Sequence, residues 1–274
     1  MTKAKIVDGV IPTRMRVLSW NIWWRFGPWE QRQPAISETL AVLDADVIVL
    51  QEVWGDDTTS QAAILAEQLG FHHVFAPAMT MNRLGFGNAI LSRWPITASE
   101  AHELPGREES LEGRCVVQAE IDGPRGKFAA FSTHLNYRYE HSHIRQQQVA
   151  ELARFVQEKS LPGYPPVLGG DFNADPLCEE IRMLKGQTTC PVSGLFFHDA
   201  WEAAGQGGPG YTWDNANDHA REEFEPNRRI DYIFVGAPKR RTAGHITDCR
   251  IVGDTPVNGV FPSDHYAVLA ELRY

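Results

Sequence analysis

The chain has 274 residues, a length that suits one large domain or two small ones, and 43% of them are hydrophobic and 22% charged. This ordinary globular composition excludes a disordered or fibrous protein. The formal net charge of -9 excludes avid non-specific binding of nucleic acid, because a polyanion would meet no global positive field, but it allows a small or localised phosphate substrate.

We predict a single domain over residues 1–274, with its core from about residue 14 to residue 273. Residues 1–10 lack the uninterrupted apolar stretch of a signal peptide, and no run approaches the length that spans a bilayer. We therefore expect a cytoplasmic protein with no transmembrane segment, and nothing in the sequence predicts a protein partner. The cysteines form no CxxC pair and predict neither a zinc site nor a disulfide framework: Cys115, Cys178, Cys190 and Cys249.

Apolar runs rich in β-branched residues alternate with helical patterns in the first third of the chain. Residues 16–20 and 46–50 are predicted strands, and a helix with Ile36, Leu40 and Leu43 on one face is predicted between them. The i, i+3, i+4, i+7 spacing predicts two further helices, whose apolar faces span residues 62–69 and 149–156. This alternation is typical of an α/β fold.

The rest of the chain is dominated by predicted strands. In the middle these strands are expected to be antiparallel, because their connections are too short for helical crossovers. Two mixed sheets packed face to face, with helices outside, would accommodate every segment. The long loop at residues 205–226 is expected at the rim of a functional site. The predicted strands are residues 88–92, 114–118, 127–132, 229–235, 246–252 and 266–272.

The segment Gly-Gly-Asp-Phe-Asn-Ala-Asp-Pro at residues 169–176 directly follows a short apolar run. In an extended segment residues i and i+2 share a face, so the Asp171 carboxylate and the Asn173 amide could converge on one water or phosphate oxygen. The alternative is a plain turn, since Gly, Asp and Asn are the residues that turns prefer.

Other predicted strands also end in acidic, amide or histidine residues, and strand ends are where α/β scaffolds place functional groups. Each residue by itself could equally be a cap, a turn residue or a buried polar group. Together their oxygen atoms suit magnesium or manganese, whereas no tightly spaced histidine pair supports a zinc site. The HxH of His141 and His143 is predicted to lie on the surface. The strand-end set is Asn21, Glu52, His134, Asp171, Asn173, Asp231, Asp264 and His265.

Six short motifs in the same order resemble those of the endonuclease/exonuclease/phosphatase superfamily, and the resemblance covers the chain from about residue 16 to residue 272. This group includes DNase I, abasic-site endonucleases, neutral sphingomyelinases, inositol polyphosphate 5-phosphatases and deadenylases. The motifs are Asn-Ile-Trp at 21–23, Gln-Glu-Val-Trp at 51–54, Thr-His-Leu at 133–135, Gly-Asp-Phe-Asn at 170–173, Arg-Ile-Asp-Tyr-Ile at 229–233 and Ser-Asp-His at 263–265.

The resemblance implies a DNase I-like four-layer α/β/β/α sandwich of two mixed sheets, with a magnesium-dependent phosphoester hydrolysis site at one sheet edge. It implies that Glu52 and Asn21 hold Mg²⁺, with Mn²⁺ as a substitute, and that Asp264 supports the metal through its water shell. Abasic endonucleases and several relatives carry an acid two residues after the first Asn, but this chain has Trp23 there. That position cannot ligate a metal.

The resemblance also implies the roles of the remaining residues. Asp171 would orient or deprotonate the attacking water, and Asn173 would bind a phosphate oxygen. His265 would contact the phosphoryl group, oriented by a hydrogen bond to Asp231. His134 would stabilise the charge that develops on the pentacoordinate phosphorus.

The substrate branch stays open in the sequence. The motif at residues 51–54 and the segment 143–147 are most similar to sphingomyelinases and deadenylases. The aromatic residues at 20–29 are either core plugs or ligand walls, and the basic runs at 228–229 and 239–241 are expected to be solvated faces.

We expect a metal-dependent phosphodiesterase acting on a nucleotide, a single-stranded nucleic acid or a small phosphodiester such as a phospholipid. The alternatives are a phosphomonoesterase of the same fold and a catalytically silent module that binds a phosphate ligand. A pure nucleic-acid adaptor would need a basic stripe that the composition does not supply.

Overall fold

The computed structural model describes residues 13–239 and 242–274. The N-terminal segment used to predict localisation, and two residues of the predicted basic run at 239–241, lie outside these ranges. The described residues form two six-stranded sheets packed face to face, with helices on the outer faces. This architecture confirms the predicted four-layer sandwich. No helix within the described ranges is long and apolar enough to cross a membrane.

The strands of the first sheet lie in the order β11-β12-β1-β2-β4-β3, and those of the second in the order β5-β6-β7-β8-β10-β9. In chain order they are β1 (Arg14–Asn21), β2 (Val47–Gly55), β3 (His72–Met81), β4 (Leu84–Ser92), β5 (Ile96–Leu104), β6 (Arg114–Gly123), β7 (Gly126–His134), β8 (Val167–Asp171), β9 (Phe197–Asp199), β10 (Asp231–Gly236), β11 (Ile246–Val252) and β12 (Ala267–Arg273).

The helices connect these strands across the outer faces. They are α1 (Trp29–Leu43), α2 (Gln61–Leu69), α3 (Arg107–Ser110), α4 (Ser142–Lys159), α5 (Glu179–Leu184), α6 (Ala200–Ala204) and α7 (Asp218–Arg221). The Ser60 side chain caps α2 by accepting from the Ala63 N–H, and Gly70 ends it in the left-handed conformation.

Each sheet combines antiparallel pairs with a single parallel pair, β1 with β2 and β7 with β8, within the described residues. The pairs β3–β4, β5–β6 and β6–β7 are antiparallel, as predicted for the middle of the chain. Strands β3 and β5 were missing from the sequence prediction. They are edge strands with many exposed side chains, so they lack the apolar runs that mark the inner strands.

The apolar core has three layers. One cluster fills the space between the sheets, and the other two lie between a sheet and its helices. Helices α1 and α2 cover the first sheet, with Ile36, Leu40 and Leu65 buried against it. Helix α4 buries Val149 and Leu152 against the second. The apolar faces predicted from helical spacing are therefore the faces that pack.

The parallel pairs bring the carboxyl ends of four strands to one edge of the sandwich. Asn21 aligns with Gln51 at the ends of β1 and β2, and His134 aligns with Asp171 at the ends of β7 and β8. The sequence placed Glu52 after its strand, but β2 continues to Gly55 through a register shift between Leu50 and Val53. Glu52 lies in this bulge with φ of 55°, a geometry that re-aims its side chain.

Gly169 in β8 allows the two sheets to approach closely behind this edge. A Cβ at this position would lie 2.3 Å from Cγ2 of Val49 and 3.0 Å from Oγ of Ser19, both on the opposite sheet. Real Cβ atoms do not approach neighbours so closely, so a larger residue would push the sheets apart.

We expect Gly169→Ala to lower the free energy of unfolding by about 1–3 kcal/mol, because the added methyl overpacks the interface between the sheets. Gly163→Ala is the matched control, since the nearest described atom to its Cβ would be 3.7 Å away. Urea unfolding of both variants measures the difference. Equal stability of the two would contradict this account of the interface.

Candidate active site

The predicted site residues meet at the sheet edge where β1, β2, β7 and β8 end. All except Glu52 are buried, and the side chain of Glu52 is 15% exposed. The residues of the C-terminal motif are held against β1, because the Ser263 hydroxyl donates to the Asn21 carbonyl at 2.7 Å. The same hydroxyl oxygen lies 3.1 Å from Oδ1 of Asp264. The structure therefore brings together residues that are 244 positions apart, from Asn21 to His265.

The Asp171–Asn173 segment is a turn and not the extended segment that the spacing argument assumed. Asn173 has φ of 51°, and its backbone N–H donates to Oδ1 of Asp171 at 2.9 Å. Its side-chain Nδ2 donates to Nε2 of His134 at 3.0 Å and to the Leu135 carbonyl at 3.2 Å. The plain-turn alternative is thus correct for the backbone, while the side chains still enter the site.

Asn21 links two carboxylates that belong to different sheets. Its Nδ2 donates to Oε1 of Glu52 at 3.1 Å and to Oδ2 of Asp171 at 3.0 Å. Its Oδ1, the atom that would ligate a metal, accepts the backbone N–H of Trp23 at 3.0 Å. In this arrangement Asn21 bridges the acids through its nitrogen.

Glu52 has the features of a cation ligand. Its Oε2 is buried and has no hydrogen-bond partner among the described residues. Burial and the nearby charge of Asp264 raise its pKa to about 7, although the hydrogen bond from Asn21 opposes this rise. Burial also raises the pKa of Asp264. An unpaired carboxylate oxygen in a crowd of acids fits a hard divalent cation.

His265 and Asp231 form a buried pair. Nδ1 of His265 lies 2.9 Å from Oδ2 of Asp231, and its Nε2 lies 3.8 Å from Oδ2 of Asp171. Burial lowers the pKa of His265, but the charges of Asp231, Asp264 and Asp171 outweigh burial and raise that pKa well above its usual value. These charges therefore favour the imidazolium form of His265, whose Nε2 faces Asp171.

Asp171, Asp231 and His265 also offer ligand atoms that lie within 4.8 Å of one another, a spacing that could hold a metal ion. Coordination by His265 would require loss of the proton that its three acidic neighbours stabilise. Oδ1 of Asp231 is buried without a hydrogen-bond partner among the described residues, as is Oε2 of Glu52, so both carboxylates offer an oxygen to a cation.

His134 is the second histidine of the site and has the opposite charge state. Burial and the charges of Arg114 and His265 lower its pKa well below the usual value. Its Nε2 accepts from Asn173, so the neutral ring carries its proton on Nδ1. This Nδ1 is buried without a hydrogen-bond partner in the described part of the chain, 4.0 Å from Oε1 of Glu52. An unpaired N–H in this position is available to a ligand.

Arg114 is a site residue that sequence reasoning missed. It is buried at the start of β6, and one of its nitrogens donates to Oε2 of Glu112 at 2.9 Å. Its Nε and Nη1 are buried and unpaired within residues 13–239 and 242–274. The available signal was a charged residue directly before the short apolar run at residues 115–117.

Arg32 was also missed, and no local pattern marks it. Its buried guanidinium donates to five backbone carbonyls in the described chain, from Ile22, Trp23, Trp24, Phe26 and Pro262. Burial lowers its pKa to about 10, while the charges of Asp264 and Glu52 oppose the decrease. Arg32 thereby ties the loop after β1 to the loop before β12 and places a positive charge near the acids.

Two of the first-loop aromatics fill the core, one of the two roles predicted for them. Trp20 and Trp24 are buried plugs, and Trp20 Nε1 donates to the His265 carbonyl at 3.0 Å. Trp23 is half-buried, and its ring lies 4.6 Å from the guanidinium of Arg32 and 4.8 Å from the ring of His219.

The loop at residues 205–226 forms part of the rim, as predicted. Trp213 packs edge-on against His265 at 5.0 Å, and Asn217 Nδ2 donates to the carbonyls of Ser263 and Asp264. By contrast, the HxH histidines lie away from the acids, and His143 is exposed and hydrogen-bonded to Glu109 at 2.7 Å.

A family model described as the Endonuclease/Exonuclease/phosphatase family matches residues 18–265. The chain is 29% identical over 181 residues to the inositol phosphosphingolipids phospholipase C of Schizosaccharomyces pombe, a match that covers 60% of this chain and 42% of that protein. It is 31% identical over 174 residues to the uncharacterized protein YbhP of Escherichia coli, covering 58% and 66% respectively. The matches thus span less than two thirds of these relatives.

Solved structures show the same fold. Truncated Caenorhabditis elegans TDP2 superposes with a TM-score of 0.74 at 24% identity, over 95% of this chain and 98% of that chain. D. rerio TDP2 complexed with a single-strand DNA product gives a TM-score of 0.76 at 19% identity, over 96% and 100% respectively.

We expect Glu52→Gln to flatten the pH dependence of stability in the metal-free protein. The pKa of Glu52 rises from 4.5 to about 7 on folding, so the folded state binds more protons between these values. Stability therefore falls as pH rises through this window, by about 3 kcal/mol for this residue.

Urea unfolding in EDTA at about pH 4.5 and about pH 8 tests this linkage. The wild type should lose more stability than Glu52→Gln between the two conditions, while Glu108→Gln at an exposed position should follow the wild type. Parallel curves for all three proteins would contradict the raised pKa of Glu52.

Proposed function

Because the chain belongs to the endonuclease/exonuclease/phosphatase family, we propose that it is a divalent-metal-dependent phosphodiesterase. One observation carries the proposal: unpaired carboxylate, imidazole and guanidinium atoms of Glu52, His134 and Arg114 are buried at one sheet edge. Buried polar atoms normally have partners, and a phosphodiester with its metal would satisfy acceptors and donors together.

Glu52 and Asp264 would hold Mg²⁺, or Mn²⁺ in its place. Asn21 would keep Glu52 beside Asp171 through its bridging amide, and its oxygen would reach a cation only by sharing its bond to the Trp23 N–H. The bound cation would supply positive charge to a phosphoryl oxygen. Because position 23 is a tryptophan and not an acid, we assign metal binding to the carboxylates of Glu52 and Asp264.

Asp171 would accept the proton of the attacking water. Burial and the charge of Asp231 raise its pKa to about 6, close to neutrality, where a carboxylate is an effective general base. Hydrogen bonds from Asn21 and from the Asn173 backbone orient its two oxygens. The charge of His265 partly opposes the rise.

Three donors would stabilise the phosphoryl oxygens as charge develops. His265 would donate from Nε2, with Asp231 holding the ring, and His134 would donate from its unpaired Nδ1. Arg114 would donate from Nε and Nη1. Asn173 would hold His134 in the tautomer that carries its proton on Nδ1. The phosphate contact predicted for Asn173 would use the same side-chain amide protons that Asn173 donates to His134.

The charges favour a diester over the two alternatives. A monoester dianion would bring a second negative charge among Glu52, Asp171, Asp231 and Asp264, whereas a diester carries one. A silent binding module would not need a base with its pKa near neutrality beside an imidazolium.

The substrates we propose are a nucleotide, a single-stranded nucleic acid or a small phosphodiester, including a phospholipid headgroup. The relatives include a phospholipase C, which supports a phospholipid headgroup as substrate, and a probable RNA exonuclease, which supports a nucleic acid. We also propose that residues 1–274 form one domain and that the protein is cytoplasmic.

We expect Mg²⁺-dependent hydrolysis of bis-p-nitrophenyl phosphate in preference to p-nitrophenyl phosphate, abolished by EDTA. Asp171→Asn and His265→Ala should each lower kcat by about 10²–10⁴-fold, because they remove the base and a donor. Val42→Ala, an exposed residue near the end of α1, serves as the control. Activity that persists in EDTA or in both site variants would overturn the assignment.

We expect Arg114→Gln to lower kcat/KM for the diester by about 10²-fold, because a charged donor to the phosphoryl oxygens is lost. Arg93→Gln removes an arginine that pairs with Asp44 and Asp46 outside the site, and its activity should equal that of the wild type. Equal rates for the two variants would remove Arg114 from the site.

A further inference from the structure

Arg25 is held between two indole rings in the loop after β1. Its guanidinium carbon lies 4.4 Å from the centre of the Trp29 ring and 4.0 Å from the centre of the Trp54 ring. The two rings meet edge-on, with their centres 6.2 Å apart. Stacking of this kind fixes the plane of a guanidinium and leaves its N–H groups able to donate within that plane. Arg25 is therefore a positioned donor.

The donors of this cluster have no acceptor in the described part of the chain. Arg25 makes no hydrogen bond or ion pair with a described residue, and its Nε is buried. Nε1 of Trp54 is a second buried donor without a described partner, on a side chain that is 5% exposed. Buried polar atoms normally have partners, so two unpaired donors on contacting side chains indicate a missing acceptor.

The N-terminus of α1 lies at the same place. Trp29 is the first residue of this 15-residue helix, and Pro28 before it provides no side-chain cap. The backbone N–H groups of Gln31 and Arg32 both donate to the Pro28 carbonyl, whereas the N–H of Glu30 has no backbone acceptor among the described residues. A helix N-terminus carries partial positive charge and favours an anion.

The backbone around Arg25 is fixed and is connected to the candidate active site. The buried side chain of Arg32 donates to the carbonyls of Trp24 at 3.1 Å and Phe26 at 2.9 Å, on either side of Arg25. The backbone N–H of Trp24 donates to the Glu52 carbonyl at 2.9 Å. The unpaired donors therefore lie on segments adjacent to the proposed cation ligand.

Two exposed acids, Glu30 and Asp56, lie on the segments that carry these donors. Oδ1 of Asp56 already accepts from the hydroxyl and backbone N–H of Thr58 and from the backbone N–H of Thr59. These hydrogen bonds, with a smaller contribution from the charge of Arg25, lower the pKa of Asp56. Its carboxylate is thus bound within its own loop and does not pair with Arg25.

We propose that Arg25, the Trp54 indole N–H and the N-terminus of α1 form a binding site for a phosphate-like oxyanion, separate from the phosphodiester that reacts at the sheet edge. All three groups donate hydrogen bonds or carry positive charge, and an oxyanion offers several acceptor atoms to them. A cation would be repelled, and an apolar ligand would leave the donors unpaired.

The same chemistry has two sources, a free oxyanion and a second phosphate group on the substrate. The second source rests on the proposed function. Binding of the oxyanion itself requires neither a metal nor catalysis, so it is measured independently of hydrolysis.

The test is titration of the metal-free protein with inorganic phosphate, followed by calorimetry and by tryptophan fluorescence, because two indole rings contact Arg25. Arg25→Gln should raise the Kd by about tenfold, since a charged donor is lost. Arg83→Gln is the matched control, because it removes the same charge from an exposed turn between β3 and β4. It should bind phosphate like the wild type.

Arg114→Gln separates the proposed oxyanion site from the donors at the sheet edge, and it should retain the Arg25-dependent binding. The proposal is overturned if the wild type binds no phosphate, if Arg25→Gln binds like the wild type, if Arg83→Gln weakens binding as much as Arg25→Gln, or if only Arg114→Gln weakens it. Thermal unfolding checks that Arg25→Gln is folded. If it is not, Arg25→Lys replaces it, because lysine keeps the charge and loses the planar fork.

The source of the oxyanion is assigned by comparing KM for a p-nitrophenyl nucleoside phosphodiester with and without an additional phosphate group. A KM that the additional phosphate lowers in the wild type but not in Arg25→Gln assigns the site to the substrate. An equal KM for both esters, with phosphate binding intact, assigns it to a free oxyanion. Failure of the proposed function gives a different result, in which neither ester is hydrolysed while Arg25-dependent phosphate binding persists.

Discussion

The candidate site depends on one amide that joins the two sheets. Asn21 at the end of β1 donates to Glu52 on its own sheet and to Asp171 on the other. Without this bridge two buried carboxylates would face each other with less compensation, and each would favour its protonated form. The close approach of the sheets at Gly169 makes the bridge possible, because the amide spans only hydrogen-bond distances. The close packing of the two sheets therefore also sets the distances between the site residues at this edge.

Electrostatics at this edge separates the roles of chemically similar groups. His134 and His265 are both buried, yet their pKa values shift in opposite directions. Burial and the charge of Arg114 lower the pKa of His134, whereas the charges of Asp231, Asp264 and Asp171 outweigh burial and raise the pKa of His265. Asp171 and Glu52 are both raised in pKa by burial, and each keeps a partial counterweight from Asn21. Environment and not residue type thus separates the pKa values of these two histidines and two acids.

The loops around the edge are held by arginines that lie in the interior. Arg32 holds the loop after β1 through backbone carbonyls, and Arg228 holds the Asn173 turn beside the loop after β7. Such anchoring is consistent with preorganisation, in which functional groups are positioned before a ligand arrives.

The sequence by itself determined the α/β class, the inner strands and the main helices, because apolar periodicity is a local signal. It also marked the eight strand-end polar residues that the structure brings to one sheet edge. It missed edge strands β3 and β5, whose exposed side chains carry no such signal. Only the tertiary structure decided that Glu52 lies in a bulge, that Asn21 uses its nitrogen, and that Arg114 and Arg32 belong to the site. These features depend on which groups meet across two sheets and how deeply they are buried. Such contacts join residues far apart in the chain, and the spacing within one segment carries no information about them.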